Sequence, residues 1–328
     1  EGEVSALAFS RSGRRLAFGG EDKSVAVWSP LTFEYLQALA GHEGRVSALV
    51  YGPDDRLASA SWDNTVRLWD PFDPDDCSVL VGHRDDVLSL AVSPDGKRLV
   101  TGGYDGSIKL WETENGRCIR NFSGHQSPVA SLCFLPDGLR FLSGSAAARD
   151  GFETGGGMAC LWSIHRPEPL SWFGDPPYEI TAVTCSPDGR LALAGSLEVI
   201  FVFDLESGAL LRMYGGHQQW VRALAFSPDG RYVASVGDDK LLHVWRTDTR
   251  ERLLRLSGHR EPVLAVAFAP DGRSIATAGR DGMVRLWPFD PGLLEPTGAE
   301  LFKSVQQRFG LRLRGFRVET ERGEFDSF

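Results

Sequence analysis

The chain has 328 residues, of which 42% are hydrophobic and 24% charged, a balance that excludes global disorder and leaves ample apolar surface to bury. Its formal net charge is -9, from 44 acidic and 35 basic residues, so the mean field opposes phosphate backbones and anionic bilayers. No run of about eighteen apolar residues is present, and the opening EGEVSALAFS carries neither a basic nor an apolar targeting region, so no membrane span or signal peptide is expected.

From Glu1 onward, one landmark returns at intervals of about 42 residues: a short alternating run closed by an aromatic. The runs end at Trp28, Trp69, Trp111, Trp162, Phe203, Trp245 and Trp287, with one longer interval between Trp111 and Trp162. Gly-His pairs stand ahead of five of them, at His42, His83, His125, His217 and His259, and Gly174-Asp175 occupies the equivalent place in the fifth repeat. Pro-Asp-Gly turns at Pro94, Pro187, Pro228 and Pro270 separate two apolar runs. Proline presets φ at the first corner, aspartate caps the backbone and glycine takes the left-handed position. The segments between turns, such as VLSLAVS and SIKLW, are β-branched with period two, which predicts strands. Each repeat supplies about four strands, too few to bury both faces alone, so seven units are expected to stack around an axis.

Gly-His, an Asp six residues before Trp, and the Trp-Asp ending together resemble the WD40 family over residues 1–290. The resemblance implies an all-β, seven-bladed propeller of four-stranded antiparallel blades without an active site. It also implies a hydrogen-bonded series in each repeat. The matching sets are His42, Ser59, Asp63 and Trp69; His83, Thr101, Asp105 and Trp111; His217, Ser235, Asp239 and Trp245; and His259, Thr277, Asp281 and Trp287. One His and one Asp per repeat at constant offset cannot converge on a single centre, so they are read as fold determinants. The fifth repeat departs from the pattern, with Asp175, Leu197 and Phe203 at the His, Asp and Trp positions, and is expected to be the weak blade held by apolar packing. The fourth carries an insertion over 146–157, read as an ornamental or partner-contacting loop.

On the face that bears the Gly-His loops, the residue before the turn Asp is expected to point outward: Glu21, Trp62, Tyr104, Arg149, Asp238 and Arg280. Arg45, Asp86, Tyr178, Trp220 and Arg260 lie near the starts of the first strands. Aromatic and arginine side chains on a rigid frame make good contact residues, so this group is the candidate surface for a protein or peptide partner. A monomeric disc, no cofactor and no metal are expected. Two alternatives are a hydrolase-like propeller enzyme and a nucleic-acid-binding propeller. The first would need converging groups, and His165 and His243, the two histidines outside the Gly-His pairs, sit in no catalytic motif. The second draws only on thirty arginines against five lysines, within an acidic chain.

The five cysteines, Cys77, Cys118, Cys133, Cys160 and Cys185, are odd in number and lack a CxxC pair, so no zinc site or disulfide framework is expected. They are read as small buried apolar residues in a reducing, cytoplasmic setting. At the start, EGEV aligns with EGRV at Glu43–Val46, which suggests a chain beginning inside a longer protein, with any closing strand upstream of Glu1. Past 290 the pattern stops. A tail over 291–328 is expected to form a helix at about 299–309, with Leu301, Val305 and Phe309 on one face. A strand at about 311–319, bulged at Gly315, follows; it either completes the last blade or links to a further domain.

Overall fold

The structure, a computed structural model, describes residues 2–70, 73–146, 158–173, 179–249, 251–293, 311–314 and 317–320. Its regular structure is antiparallel strand throughout, apart from one 3-10 turn at Pro291–Leu293 among the described residues. Each sheet is a meander in which sequential strands are neighbours. The first contains Val4–Phe9, Leu16–Gly20, Val25–Trp28 and Tyr35–Leu39. Three further four-stranded sheets begin at Val46–Tyr51, Val87–Val92 and Val129–Phe134. A seven-stranded sheet runs from Ala182–Cys185 to Arg252–Ser257, and a five-stranded sheet begins at Val263–Phe268.

The described strands therefore form six sheets, where seven separate units were expected. The difference lies in Leu210–Phe226, a single strand of 17 residues. Its first half pairs with Leu197–Asp204 and its second half with Tyr232–Gly237. The Gly-His segment elsewhere breaks the chain between sheets, but here it stays extended, because Leu197, which stands where other repeats have the turn Asp, pairs across to Trp220.

The first strand of each meander packs against the first strand of the next. Contacts run from Val4–Phe9 through Val46–Tyr51, Val87–Val92, Val129–Phe134, Ala182–Cys185, Leu210–Phe226 and Val263–Phe268, and return from the last to Val4–Phe9. Hydroxyls stitch this inner ring: Ser5 Oγ donates to the Val46 carbonyl (2.6 Å), Ser47 to Val87 (2.5 Å) and Ser89 to Val129 (2.8 Å). Ser131 and Thr181 continue the series to Val183 and Val221. A one-residue bulge interrupts the register near the start of five of these strands and at Val221–Ala223 within Leu210–Phe226.

The apolar clusters lie between successive repeats. Ala17 and Val27 of the first sheet meet Leu49, Leu57 and Trp69 of the second, and Leu7, Leu16 and Trp28 meet Ala276, Ala278 and Val284 of the last. Within the seven-stranded sheet, Leu193, Ile200 and Tyr214 of one repeat meet Val221, Val233 and Trp245 of the next, so each of these clusters is shared by two repeats. At the opposite ends of the strands, the turn between the first two strands of each repeat closes on a left-handed residue, with φ from 62° at Asp55 to 73° at Gly96.

In the last sheet, Leu311–Arg314 pairs with Met283–Pro288 and Arg317–Thr320 pairs with Leu311–Arg314. Two short strands thus stand where one bulged strand was expected; alternation persists through both segments and does not distinguish a bulge from a reversal. The expected helix at 299–309 lies outside the described residues. The cysteines also differ from expectation. All five are free, but only Cys160 is buried and the other four are half-buried. Cys77 and Cys118 sit on outer strands, where period two brings side chains back to the rim.

Candidate functional site

Five repeats carry a polar series that ties the Gly-His loop to the third strand. In the second repeat His42 Nε2 lies 2.7 Å from Ser59 Oγ, His42 Nδ1 lies 2.7 Å from Asp63, and Trp69 Nε1 donates to Ser59 Oγ at 2.8 Å. Trp supplies only a donor, so the hydroxyl passes its own proton to His Nε2 and His Nδ1 donates to the carboxylate. The same chain joins Trp111, Thr101, His83 and Asp105, with Nδ1 to carboxylate at 3.4 Å. It recurs in Trp245, Ser235, His217 and Asp239, and in Trp287, Thr277, His259 and Asp281. Each Asp also accepts the backbone N–H that follows the His, at Glu43, Arg84, Gln218 and Arg260. The glycine of Gly-His has its own reason. A Cβ there would stand 3.0 Å from the Trp111 ring at Gly82 and 2.8 Å from the Trp162 ring at Gly124.

Burial favours neutral imidazole and lowers His42 and His259. Burial alone would raise Asp63, but hydrogen bonds from Thr65, the Glu43 amide and His42 outweigh it and hold it at about 2.

The fourth repeat has a partial series that the sequence sets left out. His125 Nε2 lies 2.6 Å from Ser143 Oγ, which accepts from Trp162 Nε1 at 2.7 Å. The Gly-His pair was visible there and Ser143 keeps the usual offset of 18 residues, but the insertion moves Trp162 to 19 residues from Ser143 where the other repeats have 10. Burial pushes His125 down to about 4. In the first repeat Phe18 stands at the hydroxyl position, and the buried Trp28 Nε1 has no hydrogen-bond partner. In the fifth, Phe203 is buried against Phe173 and Phe201, and Ser196 Oγ donates to the Glu179 carbonyl in place of an Asp-centred loop.

His243 is the second departure missed from sequence. It is fully buried, stacks on His217 at 4.2 Å with 16° between the rings, and neither ring nitrogen has a partner. His217, Asp239 and His243 offer ligand atoms within 4.8 Å of one another. Nearly parallel rings keep their in-plane lone pairs apart, and both His217 nitrogens are engaged by Asp239 and Ser235, so the trio is a poor metal cradle. Burial drives His243 down to about 3, so it packs as a neutral ring. His243→Leu is therefore expected to stabilise the chain by about 1–2 kcal/mol, since an apolar side chain relieves two unmet polar atoms. A destabilised H243L in urea unfolding would show that the stack contributes more than the orphaned nitrogens cost.

The candidate contact residues come together in pairs. The amide of the residue before the turn Asp donates to the carbonyl just ahead of the inner strand: Glu21 to Glu3, Trp62 to Arg45, Tyr104 to Asp86, Asp238 to Trp220 and Arg280 to Pro262. Arg260 is thus displaced from the pattern; Pro262 holds the equivalent place, three residues after His259, and Arg260 lies in the Gly-His loop, where its carbonyl accepts from Lys240 Nζ. Arg149 and Tyr178 lie outside the described residues.

Around this mouth the charges interlock. Arg45 lies over the Trp62 ring at 5.0 Å, and its guanidinium pairs with Glu3. Arg280 Nε reaches the other Glu3 oxygen at 3.2 Å, so Glu3 bridges the first two sheets and the last. On the inner strand next to the last sheet, Arg222 clamps Asp238 through two bonds of 2.8 and 2.5 Å. Trp62 remains 37% exposed.

The family model for the WD domain, G-beta repeat, matches residues 1–29, 33–70, 75–112, 116–163, 208–246 and 250–288, which is most of the chain. The chain belongs to the WD40 repeat family. The unmatched interval, 164–207, holds most of the fifth repeat, which lacks the polar series as the first does. Among curated WD40 relatives, WD repeat-containing protein 18 of Rattus norvegicus is 32% identical over 93 residues, 28% of this chain and 22% of that protein. WD repeat and SOCS box-containing protein 1 of Homo sapiens is 32% identical over 95 residues, 28% of this chain and 23% of that protein. Transcription initiation factor TFIID subunit 5 of Caenorhabditis elegans is 33% identical over 88 residues, 26% of this chain and 14% of that protein. The match spans less than a quarter of each relative. WD40 proteins generally act as scaffolds for protein interaction, and among the described residues no helix is long and apolar enough to cross a membrane.

Proposed function

We propose that the chain is a seven-bladed, non-catalytic scaffold that docks a protein or peptide on the face bearing the Gly-His loops. The count of seven is supported by the inner ring, in which the two halves of Leu210–Phe226 serve two successive blades. The reading of the face rests on one observation: an exposed Trp62 beside Arg45, Glu3 and Arg280, fixed on a rim of paired backbone bonds. Aromatic and guanidinium groups held in place lose little conformational freedom on binding, which is why such residues dominate interface energetics. At the opposite rim, a cleft of about 640 Å³ lies between turns and is lined by Ser227, Pro228, Asp229, Asp271 and Arg273; the Ser227 hydroxyl donates to Asp229 at 2.6 Å, a bond within the Pro-Asp-Gly turn itself.

The test compares the intact chain with a Trp62→Ala, Tyr104→Ala, Trp220→Ala variant. Proteins retained by the intact chain are expected to bind the triple variant at least about tenfold more weakly, with matched unfolding midpoints. Equal affinity for both moves the site off this face. A salt titration addresses the nucleic-acid alternative, since a steep loss of affinity with added salt would indicate phosphate contacts.

A further inference from the structure

We propose that Cys133 and Cys185 are a modification site: a pair of thiols on neighbouring inner strands that a hydroperoxide closes into a disulfide. Their sulfurs lie 3.4 Å apart, although 52 residues separate them in sequence. The placement follows from the ring. Ser131 Oγ accepts from the Val183 amide at 2.9 Å, fixing Val129–Phe134 beside Ala182–Cys185 at the same offset of 52 residues. Period two then carries the alignment two residues on, to Cys133 and Cys185. Both residues are half-buried, and both thiols also lie within hydrogen-bond distance of the Phe134 carbonyl.

The two sulfurs are not equivalent. The hydrogen bond between them pushes Cys185 up and favours the thiolate on Cys133. Its thiolate attacks one peroxide oxygen, the O–O bond breaks, and the departing hydroxide takes a proton to leave as water. Cys133 is then a sulfenic acid. Cys185 gives up its proton and attacks the Cys133 sulfur; the S–S bond forms, the S–O bond breaks and a second water leaves. The peroxide has taken two electrons from the two thiols. The bridge would bind the fourth repeat to the fifth, which lacks the His–Asp–Trp series.

The full-length reduced chain is treated with hydrogen peroxide, its remaining thiols are alkylated, and unreduced digests are mapped by mass spectrometry. The expected product is an intramolecular Cys133–Cys185 peptide, with free thiols falling from five to three and recovering on reduction. Cys133→Ser and Cys185→Ser should each abolish that peptide. Closing a loop of this length should also raise the unfolding midpoint by roughly 5 °C. Overoxidation of both thiols without linkage, full alkylation of both after treatment, or linkage found only between two chains would each overturn the proposal.

Discussion

Acidification from about pH 7 to pH 4 is expected to remove several kcal/mol of stability before most carboxylates protonate. Burial lowers His42, His125, His243 and His259, with His125 at about 4 and His243 at about 3. In the unfolded chain these imidazoles titrate near 6.5, so below that pH the unfolded state binds protons that the native state refuses. Stability therefore declines as pH falls from about 6.5 towards 4, by on the order of 3 kcal/mol each for His125 and His243. The aspartates act later. Burial raises them, but their hydrogen bonds win and lower Asp63, Asp105, Asp239 and Asp281, so their contribution is present above about pH 4 and is lost below it. Urea unfolding at pH 7, 5.5 and 4 measures this, and H243L should flatten the upper part of the curve. Equal stability at pH 7 and pH 4 would show that the imidazoles are protonated in the native chain.

The fold was legible in the sequence wherever a local rule fixes the geometry. Pro-Asp-Gly marked turns because a left-handed residue must close them, and alternation before each Trp marked strands because one face packs inward. The polar series was legible because a constant offset of Asp to Trp reflects one turn and one strand length. What lay beyond reach depended on pairing between distant segments. Nothing in GGHQQW announces that Gly215 to Trp220 stays extended and fuses two sheets; that follows from where Leu197 pairs. Nor does the alternation around His243 reveal that it stacks on His217, since equivalent positions in other repeats carry the long cationic side chains of Arg67, Lys109 and Arg285. The Cys133–Cys185 approach is likewise a property of the ring, with no local signature across 52 residues. Arg260 differs in register only: it is exposed, but Pro262 takes the paired position at the start of the inner strand and Arg260 lies two residues earlier, in the loop whose amide bonds to Asp281.

Trp162→Ala is expected to cost about 3–5 kcal/mol, the largest effect of any single truncation proposed here. The side chain is fully buried and touches Phe122 at 5.6 Å, Phe141 at 6.1 Å and His125 at 5.8 Å between ring centres. Packing and polar contributions separate when phenylalanine replaces tryptophan. Trp162→Phe keeps a ring in the pocket but removes the N–H donated to Ser143, leaving that hydroxyl with His125 alone, so a further loss of about 1–3 kcal/mol attaches to the missing hydrogen bond. Trp28→Phe provides the contrast. Trp28 is also buried, but Phe18 occupies the hydroxyl position and the indole N–H has no partner, so phenylalanine there deletes an unmet donor. Thermal or urea unfolding should therefore rank W162F well below W28F, by at least about 1 kcal/mol. Equal losses in the two variants would mean that the Trp–Ser–His series contributes nothing beyond shape and that apolar packing alone holds the repeats.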